Sequence, residues 1–127
     1  MKSGKGEIKA QIGGRGAFAR VFVEVSPSDR GCTIQFADGF STGGYGEAFG
    51  DAIRAGIQYA FETLIFSHKL PEPCLCTVTK LVATAADSSQ MLVFYVAALA
   101  FWDAVEMTPT QMPEIVVDNG CFIRFPL

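Results

Sequence analysis

One histidine, His68, is all that these 127 residues offer, and that scarcity removes most chemistry built on imidazole. His68 sits in Ser67-His68-Lys69, at the end of an apolar-periodic stretch, where a cation complements a helix C-terminus. No Gly-x-x-x-x-Gly-Lys-Ser/Thr run occurs anywhere, so no nucleotide partner is expected. Charge is sparse and leans acidic, with 10 Lys+Arg against 13 Asp+Glu and a net charge of −3. That balance argues against strong, nonspecific phosphate binding, which needs a basic face. Long hydrophobic runs are missing too. The longest, Met91 to Trp102, falls short of the roughly 20 residues that a bilayer span needs, so no membrane partner is expected. Gly, Glu and Lys residues follow Met1-Lys2 in place of an apolar segment. No secretory leader is therefore expected, and the cytoplasm is the expected compartment.

The cysteines Cys32, Cys74, Cys76 and Cys121 form an even set, but nothing marks the chain as secreted. Cys74-Leu75-Cys76 places both thiols on one face of a strand, whereas a zinc site favours Cys-x-x-Cys pairs. Buried free thiols are the expectation, with no metal and no cofactor. Asp38, Glu47 and Asp51 read as loop and helix-start residues. Ser88 and Ser89 read as helix caps, with no histidine near them in sequence.

What is present is core. Half the residues are apolar and 18% are charged, which fits one domain with a generous interior. Residues 1–12 read as a loosely ordered start with a short strand over Glu7 to Ile12. Gly13-Gly14-Arg15-Gly16 then feeds an alternating strand over 17–25, with Val21, Val23 and Val25 on one face and Arg20, Phe22 and Glu24 on the other. Cys32 to Phe36 completes a hairpin after a Ser-Pro-Ser-Asp-Arg-Gly turn. A glycine loop over 37–46 leads to a helix from Glu47 to Phe66, whose apolar residues recur at helical spacing. Gly56 inside it points to close backbone approach. Cys74 to Val82 reads as a further strand. Asp87 reads as the N-cap of a second helix, which runs to Glu106. Asp118-Asn119-Gly120 is the turn of a terminal hairpin. The fold class is α+β: two layers, a sheet of four or more strands, and two helices on one face.

Two segments, taken together, resemble domain IV of elongation factor G. One is Gly13-Gly14-Arg15-Gly16 with its strand, the glycine loop, and Ala55-Gly56-Ile57 in the helix. The other is Thr77 to Leu81, then Asp87-Ser88-Ser89 opening a helix that holds Ala97, Ala98, Ala100 and Ala104. The resemblance covers roughly residues 8–117. It implies a fold like the second domain of ribosomal protein S5, with a left-handed βαβ crossover. It also implies an arm that reaches the ribosomal decoding region, with a tip built from the glycine loop and the loop before Asp-Ser-Ser. Here that second loop is only Val82-Ala83-Thr84-Ala85-Ala86, shorter than the family's and without its histidine. Tyr45-Gly46 stands where the family has Ile-Pro.

The resulting expectation is a non-enzymatic, translation-factor-like domain that stands alone and binds the ribosome or structured RNA through Gly13, Gly14, Arg15, Gly16, Gly43, Gly44 and Tyr45. The alternative is an oligomeric interaction module that kept the fold and lost the ribosomal role. Its basis is the helix over 88–106, apolar on every side, where a helix on a sheet normally keeps a polar outer stripe. Tyr59, Phe94, Tyr95 and Trp102 would then form the interface of a homo-oligomer, most simply a two-fold dimer. Coverage by the chain's own terminal segments is the competing explanation for that apolar surface.

Overall fold

The computed structural model describes the chain apart from residues 13–14, 43, 45, 85, 118–120 and 127, and leaves out the side chains of Ile12, Arg15, Val117, Cys121 and Phe122. The elements follow in the order β1 (Lys2–Ile12), β2 (Arg15–Pro27), β3 (Cys32–Phe36), α1 (Glu47–Phe66), β4 (Cys74–Ala83), α2 (Gln90–Val105), β5 (Glu114–Val117) and β6 (Cys121–Arg124). The main sheet has four strands in the order β1-β2-β4-β3, and β5 and β6 form a separate two-stranded sheet. β1, β2 and β4 pair antiparallel, while β3 lies parallel to β4, so β4 comes between β2 and β3 in place of the hairpin expected for them. The β3–α1–β4 crossover therefore joins neighbouring parallel strands, as an α+β layer with a βαβ unit requires.

β1 corrects the expected loose start. It begins at Lys2 and pairs with β2 along its whole length, from Lys2 opposite Val25 to Ile12 opposite Arg15. The inward positions Gly4, Gly6 and Ile8 are buried, and their neighbours Lys5, Glu7 and Lys9 are exposed. The alternation is strict, but glycine fills two of its apolar slots and so hides it from a hydrophobicity reading.

Those glycines explain how the helical layer sits. A Cβ on Gly6 would run into the carbonyl oxygen of Val96 and come within 2.7 Å of Ala100 N. One on Gly4 would come within 2.6 Å of Ala104 N. The backbone of α2 thus rests directly on the backbone of β1. Gly56 does the same for the helix pair, since a Cβ there would meet the carbonyl group of Phe94. A side chain of α2 also holds the strand edge at one point: the Lys5 N–H donates to Asp103 Oδ2 at 2.9 Å.

α1 carries a single apolar stripe, Phe49, Ala52, Ile53, Gly56, Ile57, Ala60, Phe61 and Leu64, all buried. This i, i+3, i+4 pattern turns one side to α2 and the sheet. α2 is buried nearly all round, including Leu92, Val93, Val96, Ala97, Phe101 and Trp102. Its N-cap is Ser89, whose hydroxyl accepts from Leu92 N at 3.2 Å. Asp87, expected to be the cap, instead lies against Gly16. The Trp102 indole N–H donates to Ala60 O at 3.0 Å, tying the two helices together. The β5–β6 hairpin closes the outer side of this layer. Ile123 is buried, and Phe125 meets Tyr59 and Phe94 edge-on with ring centroids 5.3 and 5.2 Å apart.

β4 contains one irregularity. Phe22 pairs with Lys80 and Val23 with Val78, which leaves Thr79 as an extra residue. Its hydroxyl donates to Phe22 O at 3.2 Å. This bulge lets both Val78 and Leu81 face the helices.

Candidate functional site

The connections singled out in the sequence all leave toward one end of the main sheet. β1 turns into β2 between Ile12 and Arg15. β4 runs antiparallel to β2 with Ala83 opposite Ala19, so the segment 84–89 emerges beside that turn. β3 runs parallel to β4, so the loop 37–46 leaves toward the same end, starting lower because Phe36 is level with Val78. Both helices begin at this end, and α2 returns from it across β1 and β2.

A network of hydrogen bonds ties the segment before α2 to β2. The Phe18 N–H donates to Asp87 O at 2.9 Å. The Ser88 hydroxyl donates to Phe18 O at 2.5 Å and accepts from Thr84 N at 2.9 Å. The Thr84 hydroxyl accepts from Asp87 N at 3.2 Å, closing a tight turn. Gly16 makes room for this arrangement, because a Cβ there would stand 2.6 Å from Asp87 Oδ1. Ser88 is therefore a tie between strand and loop, while Ser89 alone caps the helix. A groove of about 590 Å³ opens alongside, lined by Lys9, Gln11, Gly16, Phe18, Thr84 and Asp87.

Of the expected binding residues, Gly16 belongs to this tie. Gly44 is exposed in the 37–46 loop, with φ at 89°, a left-handed backbone that favours glycine. Gly13, Gly14, Gly43 and Tyr45 lie outside the described residues, as does the Arg15 side chain. Sequence reasoning missed Phe18, Thr84 and the Asp87 side chain as parts of this end. Register was the missing information, since only the β2–β4 pairing brings them together.

The expected dimer face is largely occupied. Trp102 is 2% exposed and Tyr95 9%. Tyr59 and Phe94 are half-buried, their rings tilted against one another with centroids 5.4 Å apart and covered by Phe125. The apolar outer side of α2 therefore meets the C-terminal hairpin of its own chain, and burial by β6 accounts for a helix without a polar stripe.

A cleft of about 370 Å³ lies at the opposite end, lined by apolar groups such as Val25, Pro27, Leu70, Pro71 and Met107, with Lys2, Glu72 and Cys74 as its ionisable groups. Among the described residues no cluster of His, Cys, Asp and Glu is arranged to hold a metal ion, and no helix is long and apolar enough to cross a membrane.

Cys32, Cys74 and Cys76 pack along the main sheet, and the Cys121 side chain lies outside the described residues. Cys74 and Cys76 are buried on the helix-facing side of β4, and the half-buried Cys32 lies opposite Cys74. Burial, and then the charge of Cys74, push the Cys76 thiol from its ordinary 9.0 up to about 12. Cys32 is also raised, first by its hydrogen bond with Cys74 and then by burial. The same hydrogen bond lowers Cys74, so the fold favours the neutral form at Cys32 and Cys76 only, and an unfolded chain gives up those two protons first. The stability that Cys76 contributes is fully present below pH 9 and is lost as pH rises from 9.0 toward about 12. Urea titrations across this range should show the decline, and Cys76→Val should flatten it. An equally steep alkaline limb in that variant would refute the assignment.

The family model for elongation factor G, domain IV, matches residues 1–108. Elongation factor G of Dehalococcoides mccartyi is 35% identical over 63 residues, which cover 50% of this chain and 9% of that protein. The chain thus corresponds to a small part of its curated relative. A crystal structure of a Thermus thermophilus protein superposes with a TM-score of 0.70 at 21% identity, over 85% of this chain and 16% of that one, a likeness of fold alone. With the family model spanning the main sheet and both helices, the chain belongs to the elongation factor G domain IV family.

Proposed function

We propose that the chain is a translation-factor-like binding domain that presents the loop end of its main sheet to the ribosome or to structured RNA. The observation that carries this reading is the 84–89 segment fastened to β2 through Asp87 and Ser88 beside the β1–β2 connection, with the 37–46 loop leaving toward the same end. Such a tie gives the end a fixed shape, and a preformed surface spends less binding energy on ordering. Family membership supports translation as the setting. The role is binding and positioning, not catalysis.

Arg15 opens β2 at this end, and a guanidinium in a glycine setting suits phosphate contact. The protein should co-sediment with ribosomes at low salt and be released as salt rises. Arg15→Ala should weaken that association about tenfold, consistent with loss of one charge-assisted contact of about 1.5 kcal/mol. Absence from the ribosomal pellet at low salt would remove the reading.

A further inference from the structure

The sheet face turned away from the helices carries a pattern that the core does not use and that meets the loop end only at Phe18 and Lys9. Phe18, Arg20 and Phe22 project there from β2, alternating with the buried Ala17, Ala19, Val21 and Val23. Register sets lysines beside both rings. Lys9 lies opposite Phe18, and Phe22 lies between Lys5 on β1 and Lys80 on β4. The Lys80 ammonium stands 6.0 Å from the Phe22 ring centroid, and the Arg20 guanidinium carbon 5.5 Å from that of Phe18. Glu7 pairs with Arg20, and Glu24 lies further along, between Ser3 and Thr77. On an acidic chain, this face reverses the balance of charge.

We propose that this open sheet face binds single-stranded RNA. The two rings are four residues apart, about 13 Å along a strand, and the Arg20 guanidinium supplies a third flat surface between them. Unstacked bases lie on such planes, while phosphates run to the flanking ammonium groups. A duplex keeps its bases stacked on one another and gains nothing from the rings. A second copy of this chain, related by a two-fold axis, would set lysine rows against lysine rows. The choice of RNA over DNA rests on the translational reading, whereas the stacking and charge argument stands without it.

Fluorescence anisotropy with a labelled RNA strand of about ten nucleotides tests the proposal. Binding is expected at low salt. Phe22→Ala should weaken it about tenfold, the loss of one stacked base, and Phe22→Tyr, which keeps the ring, should restore it. Lys80→Gln, at an exposed position, should flatten the dependence of log affinity on log salt by about 0.7. Circular dichroism on each variant separates lost binding from lost fold. No binding at low salt, tighter binding of the matching DNA strand or RNA duplex, or indifference of a folded Phe22→Ala variant would each overturn the proposal. Ribosome co-sedimentation that persists in such a case leaves the loop-end reading intact.

Discussion

Gly6→Val should leave no folded population under native conditions. Even the Cβ of alanine would be driven into Val96 O and within 2.7 Å of Ala100 N. Both obstacles are main-chain atoms of α2, so no rotamer change relieves them. The helix must lift off β1, and with it goes the packing of Val93, Val96 and Phe101 on the sheet. Ordinary core substitutions cost about 0.5–3 kcal/mol, and separating two layers costs more than the total stability of about 5–15 kcal/mol expected for a domain can absorb. Gly50 provides the contrast within the same chain. It lies in α1 with nothing within 4 Å of an added Cβ, so Gly50→Ala should raise stability by about 0.5–1 kcal/mol. Far-UV circular dichroism and urea titration read both outcomes. A cooperatively folding Gly6→Val protein of near-normal stability would contradict the direct backbone seat of α2.

Ile123→Asp should release the C-terminal hairpin without unfolding the main sheet. Ile123 is 5% exposed, its N–H lies 3.5 Å from Met91 Sδ, and β6 touches α2 while its strand partner is β5. Losing the buried side chain alone costs roughly 2–4 kcal/mol, and a carboxylate there adds desolvation. A peripheral unit anchored this way opens locally before the whole domain does. Opening uncovers Met91, Phe94 and Tyr59, which pack beneath the hairpin. The variant should therefore bind a hydrophobic dye and gain mass in light scattering, while keeping most of its helical signal. A monomeric variant with no added dye binding would show that the hairpin does not shield this face.

The α1 helix was legible to its ends because eight apolar or small residues repeat at helical spacing without interruption. β1 was only half legible. Two of its inward positions, Gly4 and Gly6, are glycines, so its first half lacks the apolar alternation by which a strand is recognised. Reading the N-cap at Asp87 instead of Ser89 followed from residue type, which suits both, while the choice between them was made by Gly16 and Phe18 on a distant strand. The all-round apolarity of α2 by itself favours a second copy of the chain, with the chain's own terminal segments as the competing cover. What buried it was not legible, because Ile123 and Phe125 come after a loop with two prolines and sequence periodicity says nothing about where such a segment lands. The loop cluster had the same limit. Each loop was visible from its glycines or small residues, and their common end follows only from the pairing of β2 with β1 and β4 and of β3 with β4.

The bond from the Lys5 N–H to Asp103 bears on how this molecule behaves at high concentration. β1 is an outer strand of eleven residues, long enough to recruit a matching strand from a neighbour and begin an extended sheet. Asp103 already occupies a donor on that rim, so an incoming strand has to displace a carboxylate and bring its own backbone up against a negative charge. Lys5 and Lys9 add like charges that a second β1 would have to face. The carboxylate that fastens the helix to the strand thereby also guards the chain against growing into fibres.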